Sequence, residues 1–152
     1  MAGCIDLQDG SPLPTPVAAP VSLELAADFN VIATPPVYFT IFTLVLTTLR
    51  PASFLWFNFT CACITQGAFA GNVAPTVRFR LNTVLLPGGC TVNTIRAEIM
   101  PLARQGRVAV VAGAQSLAVE ISKFAGPANT IGVNPVARPD LEHAALTMLE
   151  QP

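Results

Sequence analysis

The sequence predicts an all-β fold, an antiparallel β-sandwich preceded by an extended N-terminal arm, and three observations predict it. Apolar runs alternate with a period of two, Gly and Pro signals separate them, and no helical segments alternate with them. The runs are also rich in Thr, Val, Ile and Phe, which favour the pleated, half-buried surface of a sheet. With 152 residues the chain is long enough to bury a core without disulfides. It divides into a proline-rich arm, residues 1–36, and a sandwich domain, residues 37–152.

Six of the fourteen prolines lie in the arm, which carries Asp6, Asp9, Glu24 and Asp28 and no basic residue. Spacing such as SPLPTPVAAP holds the backbone near polyproline II and blocks regular ladders. Two readings compete: a disordered leader, or an arm ordered along a neighbouring subunit. The alternation Val21-Ser22-Leu23-Glu24-Leu25, followed by Phe29, Val31 and Ile32, gives the arm side chains worth burying and favours the second. Its PxxP-like spacing is too common to mark an SH3-type ligand.

After Pro35-Pro36, residues 37–49 (VYFTIFTLVLTTL) form a Thr-rich strand and Arg50-Pro51 turns the chain. Residues 54–65 (FLWFNFTCACIT) follow with both faces largely apolar, as in a central strand. Residues 66–75 read as a Gly/Ala loop. Residues 76–82 (TVRFRLN) turn Val77, Phe79 and Leu81 inward and Arg78 and Arg80 outward. Pro87-Gly88-Gly89 makes the next turn, and residues 91–100 are assigned to a strand. Residues 107–122 (RVAVVAGAQSLAVEIS) read as a hairpin turning at Ala112-Gly113-Ala114, with Leu117, Val119 and Ile121 on its buried face. Residues 124–139 are loop-rich around a short strand at 129–133. In residues 140–150, Ala144, Leu146 and Met148 keep a period of two and favour a final strand over a helix.

Composition narrows the function classes. The chain is 52% hydrophobic and 11% charged, against about 25% charged in an average soluble chain, so much of its surface is expected to lie against other protein. Residues 37–49 are too short for a membrane span and residues 52–70 too polar, so no membrane contact is expected. No basic n-region with an apolar h-region opens the chain, and synthesis in the cytoplasm is the expectation. A net charge of −1 leaves no basic stripe for nucleic acid.

Catalytic, cofactor and metal sites are not expected. Cys61-Ala62-Cys63 lacks a second ligand pair, and with Cys4 and Cys90 these read as structural thiols. His143 is the single histidine and has no partner in a catalytic arrangement. Ser53, Ser116 and Ser122 lack a nucleophile elbow, and Gly88, Gly89 and Gly113 read as turn residues rather than a phosphate loop. Asn58-Phe59-Thr60 matches a glycosylation sequon but sits inside an apolar strand.

The order of pieces resembles the C1q/TNF-like jelly-roll modules of phage virion structural proteins. The pieces are residues 39–48, 54–65, 77–81, 108–112 with the turn Gly113-Ala114-Gln115-Ser116, then 117–122 and 145–149, about three-quarters of the chain. The resemblance implies a jelly-roll sandwich and a homotrimer, in a virion protein of the decoration, head-fibre or tail-tip type. It further implies binding to a major capsid protein or other virion protein, in the virion after synthesis in the host cytoplasm. The arm is not part of that module. A receptor- or glycan-binding tip of the same fold is the alternative, weakened by loops that offer no Trp or Tyr. The candidate partner contacts are Leu13, Val17, Val21, Leu23 and Leu25 in the arm, with Trp56 as aromatic anchor and Arg78 and Arg80 as a cationic pair. Core packing competes for Trp56, and solvated surface competes for the arginines.

Overall fold

The computed structural model describes residues 16–25, 29–31, 37–66, 74–88, 90, 91, 99–124, 130–133 and 144–152. The described residues form eleven strands: β1 (Val21–Glu24), β2 (Phe29–Val31), β3 (Phe39–Thr48), β4 (Ser53–Gln66), β5 (Ala74–Leu81), β6 (Val84–Leu85), β7 (Cys90–Thr91), β8 (Ile99–Val110), β9 (Gly113–Phe124), β10 (Thr130–Val133) and β11 (Ala145–Gln151). No helix occurs among the described residues, so none is long and apolar enough to cross a membrane. Two antiparallel sheets pack face to face as a jelly-roll sandwich. The first runs β1-β11-β4-β10-β2, with β8 on the other edge of β4; the second runs β3-β9-β5-β6, with β7 also on β5.

The strand β4 is the spine of the first sheet. Along one edge it pairs with β8 from Ser53↔Val110 to Ile64↔Ile99; along the other it pairs with β11 and then β10. Its alternation places Leu55, Phe57, Phe59 and Cys61 in the core. From the second sheet they meet Phe42, Leu46, Val77, Phe79, Leu81, Leu117, Val119 and Ile121, and Leu146 and Met148 of β11 complete the contact. Phe59 makes edge-on contacts with Phe42 and Phe79, each at 6.0 Å between ring centres. Burial of each such side chain contributes about 1.5–3 kcal/mol, so period-two apolar patterning dominates the choice of fold.

The expected hairpin over residues 107–122 is not one. β8 belongs to the first sheet and β9 lies in the second, between β3 and β5. Residues 111–113 therefore carry the chain from one sheet to the other. Gly113 adopts φ +134°, open to glycine. Thr48 Oγ1 donates to the carbonyls of Val111 and Gly113 at 2.7 and 3.1 Å, and Gln115 Nε2 donates to that of Val111 at 2.9 Å. Side chains thus replace the ladder bonds a hairpin would have supplied.

β8 also starts well before residue 107. It holds Pro101 within the strand, which an edge position tolerates because a missing N–H can face away from the partner. Residues 21–24 and 29–31 of the proline-rich segment pair in register with β11 and β10 of the same chain. That segment therefore contributes edge strands to the first sheet.

Candidate functional site

Among the described residues, the outer face of the first sheet carries two charges, Arg107 on β8 and Glu24 on β1. Cross-strand partners on it run Phe54 with Ala109 and Gln151, Trp56 with Arg107 and Leu149, Asn58 with Gln105 and Thr147, and Thr60 with Ala103 and Ala145. Trp56 is half-buried in the middle of this face, not in the core, because the neighbouring Leu55 and Phe57 take the inward positions. The Arg107 guanidinium lies 3.7 Å from the centre of the Phe54 ring, a cation–π contact that spreads the one cation of this ladder over an aromatic surface.

Arg78 and Arg80 stand on the outer face of the second sheet, as the alternation of β5 requires. Glu120 of β9 lies directly across from Arg78. It accepts from Arg78 Nε and, at 3.1 Å, from Arg80 Nε. Arg80 Nη1 also donates to the Thr83 carbonyl at 2.9 Å, and the Arg78 guanidinium lies 3.6 Å from the Tyr38 ring centre. Both arginines are thus engaged within the chain.

Of the arm candidates, Val21 and Leu25 pack against the core, Val17 and Leu23 are exposed, and Leu13 lies outside the described residues. His143 and Gly89 also lie outside them. Among the described residues no cluster of three His, Cys, Asp or Glu has the spacing to hold a metal.

One feature escapes the period-two reading: Glu150, on the inward face of β11 two residues after Met148, and only 4% exposed. Its Oε2 accepts from the Ala18 N–H at 2.7 Å and the Leu49 N–H at 3.1 Å; its Oε1 accepts from the Arg50 N–H at 3.0 Å and the Ser53 hydroxyl at 2.8 Å. Burial pushes this carboxyl up, but the donors from Ala18, Arg50, Leu49 and Ser53 together outweigh it and hold the pKa at about 2. An acid continuing the inward series Ala144, Leu146, Met148 was the signal that could have revealed it.

The same end of the sandwich carries a cleft of about 560 Å³. The β3–β4, β5–β6 and β8–β9 connections line it with Ala52, Ser53, Phe54, Leu81, Asn82, Val110, Val111 and Gln115. Its polar groups bond to one another: Asn82 Nδ2 donates to Gln115 Oε1 at 2.7 Å, and the Ser116 N–H donates to Asn82 Oδ1 at 2.8 Å.

No family model and no curated protein matches the chain. Among solved structures it is similar to the EclA C-terminal domain, a sugar-binding protein, with 16% identity, coverage of 89% of this chain and 86% of that one, and a TM-score of 0.41. It is similar to a chain of the T13 IBDV viral particle at 10% identity, covering 98% of this chain and 39% of that one, with a TM-score of 0.49. A third is dimeric latent PorU from Porphyromonas gingivalis, at 10% identity, 93% and 13% coverage and a TM-score of 0.43. At these identities and scores the likenesses assign neither family nor activity.

Proposed function

We propose that this chain is a non-enzymatic virion structural protein, a capsid decoration or cement protein that assembles as a homotrimer on the particle surface. The outer face of the first sheet carries the reading. It sets Phe54, Trp56 and Leu149 among Asn, Gln, Thr and Ala with Arg107 as the one charge of the ladder, the composition of a face that other protein covers. A chain with 11% charged residues has little else with which to keep such a face in water. Symmetric association hides it in every copy at once. In this reading the partners are the chain itself and a major capsid protein or other virion protein, with no part for nucleic acid or membrane, and the place of action is the virion after synthesis in the host cytoplasm. The test is sedimentation velocity of the purified protein, followed by cosedimentation with assembled capsids. A stable monomer with no affinity for particles would sink it.

The second reading is a receptor- or glycan-binding tip, favoured by the cleft where the connections converge beside Asn82 and Gln115. Binding on a glycan array, lost in Asn82→Ala and accompanied by no capsid binding, would reverse the ranking.

A further inference from the structure

Among the described residues β8 is paired along one edge only, to β4. Along its other edge every second residue turns a backbone N–H and C=O outward, the arrangement by which an extended segment adds a strand. The middle of this edge reads Arg104-Gln105-Gly106-Arg107, with Arg104, Gln105 and Arg107 exposed. Among the described residues no carboxylate pairs with either arginine. Gly106 makes room for the buried Phe57 ring, whose Cζ lies 2.2 Å from where a Cβ would stand. Phe57, Phe79, Leu86 and Val108 line a cavity of about 140 Å³ at this point. Read in order, the edge offers a cation, an amide, an apolar notch and a second cation.

The start of the same chain carries the complementary order. Laid antiparallel, Asp6-Leu7-Gln8-Asp9 sets Asp6 across from Arg107, Leu7 across from Gly106, Gln8 across from Gln105 and Asp9 across from Arg104. The same register brings Ile5 opposite the half-buried Val108. Strand alternation then places Ile5, Leu7 and Asp9 on the face of Val108, Gly106 and Arg104, and Asp6 on the face of Arg107. Leu7 covers the notch, and both charge pairs are of opposite sign, the arrangement that stabilises cross-strand neighbours.

We propose that residues 4–9 of one copy add as an antiparallel strand to the β8 edge of a second copy, an inference that rests on the assembly reading above. The second copy is the occupant that the assembly reading supplies, because an edge covered by a neighbouring copy is covered in every copy of a closed ring at once.

The test is a disulfide trap in the full-length chain, with Gln8→Cys and Gln105→Cys in a Cys4→Ser background, because directly opposed strand residues stand within disulfide distance. Oxidation is expected to give linked multimers on a denaturing, non-reducing gel, and neither Gln8→Cys alone nor Gln105→Cys alone is expected to do so. Adding Arg104→Asp and Arg107→Asp is expected to lower the yield about tenfold, and adding Asp6→Arg and Asp9→Arg to those is expected to restore it. A link within one chain overturns the second-copy assignment, and failure of the charge swap to rescue overturns the register. A wild-type protein that sediments as an oligomer while the trap stays open removes this contact and leaves the assembly reading in place. A monomeric wild type removes the assembly reading and this contact with it.

Discussion

Ala18 donates its backbone N–H to the Glu150 carboxylate at 2.7 Å across 132 residues of sequence. The same carboxylate takes the N–H groups of Leu49 and Arg50 and the hydroxyl of Ser53. One buried side chain therefore ties the proline-rich segment, the β3–β4 turn and β11 together, and the donors of Ala18 and Ser53 would be left buried without it.

Glu150→Gln is expected to destabilise the fold by about 2 kcal/mol and Glu150→Ala by about 3 kcal/mol, the range for hydrogen bonds to a charged group and for donors left unmet. Urea unfolding measures both. Limited proteolysis supplies the local readout, with cleavage rising first around residues 16–20. Wild-type stability in Glu150→Ala would show that the four donors find water at no cost.

The same group gives an acid limb to stability. Its folded pKa of about 2 lies below the ordinary value of 4.5, so the unfolded chain binds the proton more readily. The contribution of Glu150 is complete above about pH 5, shrinks as pH falls through 4.5 and is gone near pH 2. Unfolding free energy measured from pH 6 to pH 2 should fall less steeply in Glu150→Gln than in the wild type.

Gly106→Ala is expected to cost about 1–3 kcal/mol, because the new methyl meets the Phe57 ring at 2.2 Å. Phe57→Leu alone should also destabilise by opening the core. Thermal unfolding of the double variant should show a loss smaller than the sum of the two, the mark of a shared contact. Strict additivity would separate the two residues.

Thr83 follows Asn82 in the β5–β6 turn, and both hold positive φ, 74° and 48°. Asn accepts this region, but a β-branched residue does so under strain. Thr83→Gly is expected to raise stability by about 0.5–1 kcal/mol, with a higher melting temperature and no change in oligomeric state. The Arg80 bond to the Thr83 carbonyl uses the backbone and survives the substitution.

Trp56→Ala removes the largest side chain on the outer face of the first sheet while leaving Leu55 and Phe57 in place. Sedimentation should shift toward monomer with the far-ultraviolet spectrum unchanged. Arg78→Ala should leave assembly as it is and lower stability by less than about 1 kcal/mol, since Arg78 is engaged within its own chain at a partly exposed site.

Strands in which one face is buried were readable, because alternation in Leu55-Phe57-Phe59, Val77-Phe79-Leu81, Leu117-Val119-Ile121 and Leu146-Met148 follows from the pleat itself. The corner at Val111-Ala112-Gly113 was not. A tight turn between two apolar runs looks the same whether the strands pair or part, and what separates them is that β9 finds β3 and β5 while β8 finds β4, choices made by distant residues. Arg78 and Arg80 were readable as outward but not as tied, since Glu120 is 42 residues from Arg78. Glu150 was readable in principle, as a charge set in an apolar series. Its donors come from backbone N–H groups, which every residue carries and no pattern marks.

The spine position of β4 also sets an order of events in folding. Its residues leave the ribosome with a free edge on each side; one closes only when β8 has been made, the other only when β10 and then β11, ending at Gln151, have followed. Contacts of such long sequence separation slow folding and leave apolar strand edges open to wrong partners in the meantime. Lowered expression temperature or a holding chaperone should therefore raise the soluble yield more than any single surface substitution.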